Sequence, residues 1–201
     1  MKILRIAVVA LLLACKAAFT PTPLLISQLV DQKDQVSQLY MACTTGANYT
    51  PDKPGCDSKQ LQDKVVSTMS LSKEFISADI KQPHGYVVYL STAMIYFRIA
   101  QRAENDYSEA EMIARQFFEI QKATSTQPSG DARFYWVVMA SGHASYQWYN
   151  DRLALNADRK ADLLLCYAEG NLALVSFPSG PDKVLLVQDL NILKAITDSI
   201  K

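Results

Sequence analysis

Apolar and polar residues along this 201-residue chain follow a helical pattern almost throughout. Apolar positions recur three and four residues apart, and few segments alternate with the period of two that is typical of strands. Cap and breaker residues divide the pattern into seven segments. It predicts helices over residues 24–42, 58–77, 86–104, 108–124, 132–155, 158–175 and 182–200. We therefore expect an all-α fold of about seven helices in an antiparallel array or bundle, in which strands are not needed.

Two of these boundaries rest on local signals. The Pro-His-Gly segment at residues 83–85 is typical of a break, so the third helix is predicted to begin at Tyr86. Residues 105–107 predict a tight turn, after which Ser108 and Glu111 have the spacing of a capping box that would open the fourth helix. The first half of the third helix carries no charge, which predicts that it lies in the middle of the fold.

The sixth predicted helix has an apolar stripe that we expect to face the core. Its members recur at helical spacing: Leu164, Tyr167, Ala168, Leu172 and Val175. Helices five and six are predicted to form a hairpin. Ala161 and Ala168 are the candidate small residues where these two helices cross.

Helices three and four are predicted to form another hairpin around residues 105–110, which read NDYSEA. That hexad resembles the turn of a tetratricopeptide repeat, with Ala110 as the small residue at the helix crossing. Arg98 and Ala114 depart from the pattern of the repeat, and the spacing from Ala110 to Ala161 is longer than its roughly 34 residues. The resemblance is local, so a compact bundle and a repeat-like superhelix both stay open.

The first residues of the chain form a segment of a different kind. Basic residues at positions 2 and 5 precede an apolar run over residues 6–14, which ends at Cys15. The run is too short to span a bilayer, which takes about 20 residues, so it predicts a cleaved signal peptide rather than a transmembrane anchor. The four residues Leu12-Leu13-Ala14-Cys15 resemble the lipobox of bacterial lipoproteins.

The lipoprotein resemblance implies a domain organisation and a location. Residues 1–14 would be the signal peptide, 15–22 a short tether, and 23–201 a single helical domain. Cys15 would carry a thioether-linked diacylglycerol and an amide-linked acyl chain such as palmitate, which would anchor the protein in the membrane. Lys16, in place of the aspartate that signals inner-membrane retention, implies a periplasm-facing position on the bacterial outer membrane. The alternative is an ordinary secretory signal cut nearby, for example after Ala17, which would discard Cys15.

Composition narrows the class of partner. Apolar residues make up 49% of the chain and charged residues 20%, which is the balance of a folded domain. The formal net charge is zero and no basic stripe is present, so we predict no nucleic-acid partner. The expected partners are the membrane, through acyl chains on Cys15, and a protein of the cell envelope.

Three further cysteines follow Cys15. Cys43 and Cys56 flank a segment of turn-forming residues, and a secreted chain meets an oxidising compartment, so we expect them to form a disulfide. Zinc binding is the weaker alternative, since no second ligand pair and no nearby histidine completes a site. Cys166 lies in an apolar run and is predicted to be a buried thiol.

No residue pattern points to catalysis, so we predict no enzyme, no catalytic residue, no metal and no cofactor. His84 lies in a turn, and His143 lies among small residues without the spacing of a metal site. Ser141 near His143 lacks the surroundings of a nucleophile elbow. A cluster of acids is predicted to be a solvated patch at a helix N-terminus rather than a cation site. Its members are Glu104, Asp106, Glu109 and Glu111.

Helix five carries aromatic residues that could serve a partner. The three consecutive aromatics at residues 134–136 cannot all face one core, because neighbours on a helix point about 100° apart. Exposed tyrosine and tryptophan are typical of protein interfaces. The candidate partner-binding residues are Tyr135, Trp136, Trp148 and Tyr149.

Together these features predict a lipid-anchored scaffold or accessory protein of a cell-envelope assembly, of the secretion, conjugation or pilus type. One alternative is an immunity or exclusion lipoprotein that blocks an incoming effector near the membrane. Another is a helical lipoprotein that binds a small ligand or acts on peptidoglycan. A broad apolar groove would favour a protein partner, whereas a deep pocket lined by polar groups would favour a small ligand.

Overall fold

In the computed structural model, the described residues are 23–46, 48–100, 103–125 and 129–200. They form seven α-helices, which confirms the predicted all-α fold class. The helices are α1 (Pro23–Ala42), α2 (Ser58–Ala78), α3 (Pro83–Ile99), α4 (Glu104–Thr124), α5 (Gly130–Asn150), α6 (Ala157–Ser176) and α7 (Pro181–Ser199). The other elements are a 3-10 turn (Arg152–Ala154) and an antiparallel hairpin of β1 (Thr44–Thr45) and β2 (Asn48–Tyr49).

Helix α5 lies at the centre of the fold. It packs against α4, α6 and α7, while α2 and α3 pack against each other and α1 packs on both. Among consecutive helices, α3 and α4 make the smallest contact, although the sequence predicts them as a hairpin. The chain is therefore arranged as two helix groups, α1–α3 and α4–α7, which meet along α3.

Large apolar side chains fill the main core between these groups. Trp136, Tyr86 and Tyr89 are among the largest fully buried side chains. The rings of Tyr86 and Phe117 stack with centroids 5.1 Å apart, and those of Phe118 and Trp136 lie 4.6 Å apart. Full burial of one large apolar side chain contributes roughly 1.5–3 kcal/mol, so this cluster holds α3, α4 and α5 together. The uncharged first half of α3 is largely buried, as predicted.

The predicted bounds of α3 and α5 differ from the observed ones, and α3 ends at Ile99 rather than at residue 104. Helix α3 begins at Pro83 and not at Tyr86, because proline is tolerated in the first turn of a helix. Gly85 belongs to that turn and is buried against α2, where an added Cβ would lie 3.0 Å from Ile76 Cγ1. Helix α5 ends at Asn150, and the 3-10 turn replaces its predicted last turn.

The predicted start of α4 is also wrong. The helix begins at Glu104, so residues 105–107 lie in its first turn and Ser108 is inside the helix rather than its cap. The Asp106 carboxylate accepts a hydrogen bond from the Ala103 N–H at 3.0 Å. That bond satisfies a backbone donor at the helix start, one turn earlier than the predicted capping box would.

Helix α6 buries a different face from the one predicted. Its buried residues are Leu163, Cys166, Gly170 and Ala173. Four members of the predicted core stripe are exposed instead: Leu164, Ala168, Leu172 and Val175. Gly170 explains the choice, because a Cβ there would lie 2.5 Å from Val137 Cγ2, so only glycine allows this close approach to α5. The predicted crossing at Ala161 and Ala168 is therefore wrong, since both residues are exposed.

Cys43 and Cys56 form the predicted disulfide, with their Cα atoms 4.6 Å apart. The bond closes the loop that contains the β1–β2 hairpin, above a small core of Val36, Leu61 and Val65. Cross-linking a loop of this length stabilises by roughly 3 kcal/mol in the chain-entropy model. The remaining described cysteine is also as predicted: Cys166 is a free, buried thiol, and burial raises its pKa well above the usual value.

The predicted signal peptide, the lipid attachment at Cys15 and the tether fall on residues 1–22, which lie outside the described residues. The predicted helical domain is described from Pro23 to Ile200, apart from residues 47, 101–102 and 126–128. Of the helices described there, none combines the length and the apolar character that crossing a membrane requires.

Candidate partner-binding groove

A groove follows the line where the two helix groups meet, between α3, α5 and α7. Its first part is a cavity of about 440 Å³, which we call the aromatic groove. We define it by six lining residues: Phe97, Arg98, Tyr107, Tyr146, Tyr149 and Asp189. A second cavity of about 450 Å³ adjoins it, and Ser145 and Tyr149 line both. The two cavities together form an open trough along the second half of α5.

Aromatic rings form one wall of the aromatic groove. The rings of Phe97 and Tyr107 stack with centroids 4.6 Å apart, and those of Tyr107 and Tyr146 lie 5.2 Å apart. The three rings come from α3, α4 and α5, so the wall exists only when all three helices are in place. Tyr149 follows on α5 and is 83% exposed. Tyrosine offers a large contact area with few rotatable bonds, which suits an interface.

Asp189 brings a buried carboxylate to the aromatic groove. Helix α7 carries it among the buried residues Leu186 and Leu193. Its Oδ1 accepts a hydrogen bond from the Ser141 hydroxyl at 2.8 Å, whereas Oδ2 is buried without a partner among the described residues. Burial raises the pKa of Asp189 to about 6, against the opposing effect of the Ser141 hydrogen bond. The groove thus contains a carboxylate that is only half satisfied.

Arg98 gives the aromatic groove a positive charge on its exposed side. Among the described residues that line the two cavities, only Arg98 and Asp189 are charged. Arg98 is exposed, and its Nη1 donates a hydrogen bond to the Tyr40 hydroxyl at 3.4 Å. A bound segment would therefore meet a cation near the solvent and a buried anion beneath it.

The adjoining cavity is mainly apolar. Trp148 and Tyr149 line it on the α5 side, and Ile192 and Ile196 line it on the α7 side. The Arg152 guanidinium lies over the Trp148 ring, 4.2 Å from its centroid, which is a cation–π distance. Ile192 is 40% exposed, so this half of the trough offers apolar surface directly to a partner.

The structure separates the four predicted partner-binding residues. Trp148 and Tyr149 both line the trough. Trp136 is 2% exposed and packs on Phe118, so its ring does not reach the surface. Tyr135 is half-buried near the start of α5, away from the trough, and burial raises the pKa of its hydroxyl to about 12. The candidate group is therefore reduced to Trp148 and Tyr149.

A second buried polar cluster joins α4, α5 and α6. Two nitrogens of Arg159 donate to the two carboxylate oxygens of Glu111 at 2.6 and 2.7 Å. His143 Nδ1 lies 2.6 Å from Glu111 Oε2, and Arg159 Nε donates to Gln147 at 3.1 Å. Burial raises the pKa of Glu111, but the hydrogen bonds from His143 and Arg159 outweigh it, so its pKa lies below the usual value. Because this carboxylate is fully paired, we assign the cluster a structural role.

The predicted solvated acidic patch is wrong at Glu111, whose side chain is only 12% exposed. The other acids have local roles: Glu109 pairs with Lys73 at 3.1 Å, and Asp106 accepts the hydrogen bond at the start of α4. Across residues 23–46, 48–100, 103–125 and 129–200, no group of three or more His, Cys, Asp or Glu side chains is placed to hold a metal ion.

Sequence reasoning missed Asp189 and the pairing of Glu111 with Arg159, although a signal was present. Asp189 lies three residues after Leu186 and four before Leu193, so it interrupts an apolar stripe at helical spacing. Glu111 has the same kind of position on α4. A carboxylate on a core-facing stripe is buried and needs hydrogen-bond partners, which marks both residues for attention. Arg159 has no comparable signal, because its pairing with Glu111 joins residues 48 positions apart.

Comparison with known proteins adds no relative. No family model matches this chain, and no curated protein and no solved structure matches it either. The features that bear on function are therefore the trough along α5, the half-satisfied carboxylate of Asp189, and the N-terminal segment that resembles a lipoprotein signal.

Proposed function

We propose that this protein is a lipid-anchored accessory protein of a bacterial cell-envelope assembly, of the secretion, conjugation or pilus type. It binds a segment of a partner protein in the trough along α5. One observation carries the proposal: the trough is open and walled by aromatic rings, with Tyr149 83% exposed. Such a surface suits an extended or helical segment of a protein. A small molecule is more often enclosed by a pocket that buries most of its surface.

The lining of the trough indicates how the partner binds. Aromatic and apolar anchors usually supply most of the energy of a protein interface, and Trp148, Tyr149 and Ile192 offer the surface for them. Asp189 adds selectivity, because a partner group that donates a hydrogen bond to Oδ2 would satisfy a buried atom that lacks one. Arg98 favours an acidic group on the exposed side of the same segment.

The location in the envelope rests on the N-terminal sequence. Acyl chains on Cys15 would hold the chain at a membrane, facing the periplasm. Lys16, in place of aspartate, supports the assignment to the outer membrane. A tether over residues 15–22 spans at most about 25 Å, so the helical domain would stay close to the bilayer. The Cys43–Cys56 disulfide fits an oxidising compartment. The partner would therefore lie near the inner surface of the outer membrane.

Site-specific photo-crosslinking of the full chain in membranes tests the groove. A crosslinking residue at Ser145, which lines both cavities, is expected to give an adduct with one cell-envelope protein. The same residue at Gln116, which is exposed on α4, serves as the control and is expected to give none. Failure of position 145 to trap any protein, together with tight binding of a small molecule, would overturn the proposal in favour of a ligand-binding lipoprotein. An adduct with an imported effector would favour the immunity alternative.

Substitution of the exposed tyrosine tests the trough independently of crosslinking. Tyr149→Ala is expected to weaken partner binding at least about tenfold, because it removes an aromatic anchor shared by both cavities. Met112→Ala is the matched control, since Met112 is a 62% exposed apolar residue on α4. Both residues are exposed, so both variants should keep the helical circular dichroism spectrum. Equal affinity of the two variants would remove Tyr149 from the site.

Membrane fractionation tests the anchor separately from the groove. The Cys15→Ala variant is expected to leave the membrane fraction, or to stay unprocessed, because it lacks the acylated cysteine. Its folded domain should still bind the partner, since Cys15 lies outside the helical domain. A variant that stays fully membrane-bound in the same processed form would contradict lipidation at Cys15.

A further inference from the structure

A carboxylate with unused hydrogen-bonding capacity lines the aromatic groove. Asp189 is only 9% exposed, and α7 places it between the buried residues Leu186 and Leu193. An ionised carboxylate can accept about four hydrogen bonds, but the described residues supply one, from the Ser141 hydroxyl to Oδ1. A buried charge is costly unless it is paired. A cation is therefore the group that would satisfy this carboxylate best.

The described part of the chain does not itself supply that cation. Arg98 is the only basic residue among the described residues that line the groove. Burial raises the pKa of Asp189, and the charge of Arg98 opposes this rise only in part. The Arg98 guanidinium is exposed and donates to the Tyr40 hydroxyl at 3.4 Å, and it makes no ion pair with Asp189. The carboxylate is thus left for a group from outside the chain.

The rings beside Asp189 suit a cation that is carried on an apolar stem. Phe97, Tyr107 and Tyr146 line the same cavity, with neighbouring ring centroids 4.6 and 5.2 Å apart. The face of an aromatic ring is partly negative and attracts a cation within about 6 Å of its centroid. A long side chain with a charged tip also buries its methylene stem against such rings. Lysine and arginine both have this form.

The number of free acceptor atoms distinguishes lysine from arginine. Arginine binds a carboxylate best through two parallel hydrogen bonds, as Arg159 binds both oxygens of Glu111 in this chain. At Asp189, Oδ1 already accepts from Ser141, and only Oδ2 lacks a partner. The ammonium group of lysine is a compact charge that needs a single acceptor, and its remaining N–H groups can face the rings.

We propose that the aromatic groove binds a lysine side chain, whose ammonium group donates to Oδ2 of Asp189 and whose stem packs on the rings of Tyr107 and Tyr146. Oδ2 is buried in the unbound groove, so the carboxylate turns toward the ammonium group. The Ser141 hydroxyl rotates about its C–O bond and keeps its hydrogen bond to the other oxygen. The inference rests on the proposed function, because the lysine belongs to the partner segment in the trough.

Binding of end-capped peptides to the full chain in detergent micelles tests the chemistry of the bound group. The peptides are identical apart from a central residue, which is lysine, ε-acetyl-lysine, norleucine or arginine. Chemical shifts of the groove tyrosines measure the affinity. The lysine peptide is expected to bind at least about tenfold more tightly than the two uncharged peptides, because only it forms a charge-assisted hydrogen bond. Tighter binding of arginine would overturn the choice of lysine, and no preference for lysine at millimolar concentrations would overturn the whole inference.

Variants of the groove test whether the carboxylate and the rings cause that preference. Asp189→Asn keeps the shape of the side chain and is expected to abolish the preference for lysine over norleucine. Asp182→Asn, at an exposed carboxylate of the same helix, changes the net charge equally and is expected to keep it. Tyr146→Leu should weaken lysine binding about threefold and norleucine binding less, because leucine retains apolar surface without a negative face. A preference retained in Asp189→Asn would overturn the assignment of Asp189.

The failure of this inference can be told apart from the failure of the proposed function. Photo-crosslinking at Ser145 does not depend on the charge of the bound side chain. An adduct at Ser145 without a lysine preference among the peptides would overturn the lysine site and leave the protein partner. A clear lysine preference without any adduct would overturn the protein partner and leave a site for an ammonium group.

Discussion

Two buried carboxylates on apolar helix stripes, Glu111 on α4 and Asp189 on α7, have opposite surroundings. Glu111 receives both arms of the Arg159 guanidinium and contacts His143, and its pKa is lowered. Asp189 receives one hydroxyl hydrogen bond from Ser141, and burial raises its pKa to about 6. One acid strengthens the fold at neutral pH, and the other weakens it.

That difference separates a structural group from a candidate binding group. A buried charge that has all its hydrogen-bond partners holds the helices together. Removal of one partner leaves the charge buried and incompletely paired, which costs several kcal/mol of stability. A buried carboxylate with a free oxygen destabilises the chain that carries it, so its place beside a groove suggests a use outside the fold. The comparison therefore gives Glu111 a structural role and makes Asp189 the candidate recognition group of the proposed trough.

Breaking the paired carboxylate should have the largest effect. Arg159→Met leaves the buried Glu111 carboxylate with His143 as its remaining partner, so we expect the free energy of unfolding to fall by about 3–5 kcal/mol at neutral pH, measured by urea denaturation. Lys73→Met is the control, because its ion pair with Glu109 joins side chains that are 44% and 41% exposed. The free energy of unfolding of Lys73→Met should fall by no more than about 1 kcal/mol. Equal losses of stability in the two variants would show that the Glu111–Arg159 pair stabilises the fold no more than the Lys73–Glu109 pair does.

The same pair should show a characteristic dependence on pH. The pKa of Glu111 is lower in the folded than in the unfolded protein, so its stabilising contribution is present above the unfolded pKa. It is lost as the pH falls through the folded pKa. The stability gap between the wild type and Arg159→Met should therefore shrink in acid.

Neutralising Asp189 should have the opposite sign. The folded pKa of Asp189, about 6, lies above the unfolded value. The contribution of this group to the stability of the fold is therefore fully present below the unfolded pKa, and it is lost as the pH rises through about 6. Each pKa unit is worth about 1.4 kcal/mol, so Asp189→Asn should stabilise by about 2 kcal/mol above pH 7 after the cost of a buried amide. The gain should vanish below about pH 4. Asp182→Asn, at an exposed carboxylate of α7, should give no such gain.

The same variant should weaken binding of the partner in the trough, because it removes the acceptor offered by Oδ2. A variant that is more stable at neutral pH but binds less well is the combination expected for a recognition residue. If Asp189→Asn left partner affinity unchanged, the carboxylate would belong with Glu111 on the structural side of the comparison.

Alanine substitutions of two helical glycines are expected to have the smallest effects. Gly170 lies on α6 and packs against α5, whereas Gly142 lies on α5 and lines the trough. At Gly170 an added Cβ would lie 2.5 Å from Val137 Cγ2 and 2.7 Å from Leu190 Cδ2. Gly170→Ala should therefore destabilise by about 1 kcal/mol, the cost of overpacking less the gain in helix propensity. At Gly142 the nearest atom is Tyr107 Cε1 at 3.6 Å, so Gly142→Ala should stabilise by up to about 1 kcal/mol. Thermal melts of the two variants should shift in opposite directions.

The fold class could be predicted because it depends on local signals. Helical spacing, caps and breakers mark each element without reference to the rest of the chain. The inward face of α6 could not be predicted in this way. The helix has two apolar stripes, and local sequence does not show which of them is buried. The close contact at Gly170 with α5 and α7 makes the choice, and that contact joins residues far apart in sequence.

The candidate site was predictable in part for the same reason. Trp148 and Tyr149 belong to an aromatic-rich helix, so sequence alone could nominate them, but it could not show that Trp136 on the same helix is buried. The pairing of Ser141 with Asp189 joins residues 48 positions apart. No local pattern encodes such a distance, and only the interruption of an apolar stripe hinted at Asp189.

Under tension, the Cys43–Cys56 disulfide would carry load. A pull on the start of α1 would pass from α1 to α2 through the sulfur atoms and bypass residues 44–55, which would otherwise lengthen to about 40 Å when stretched. The two helices would keep their spacing while force acts on the chain. The protein would then behave as a short, stiff link between its N-terminal end and whatever occupies the trough, rather than as an elastic one.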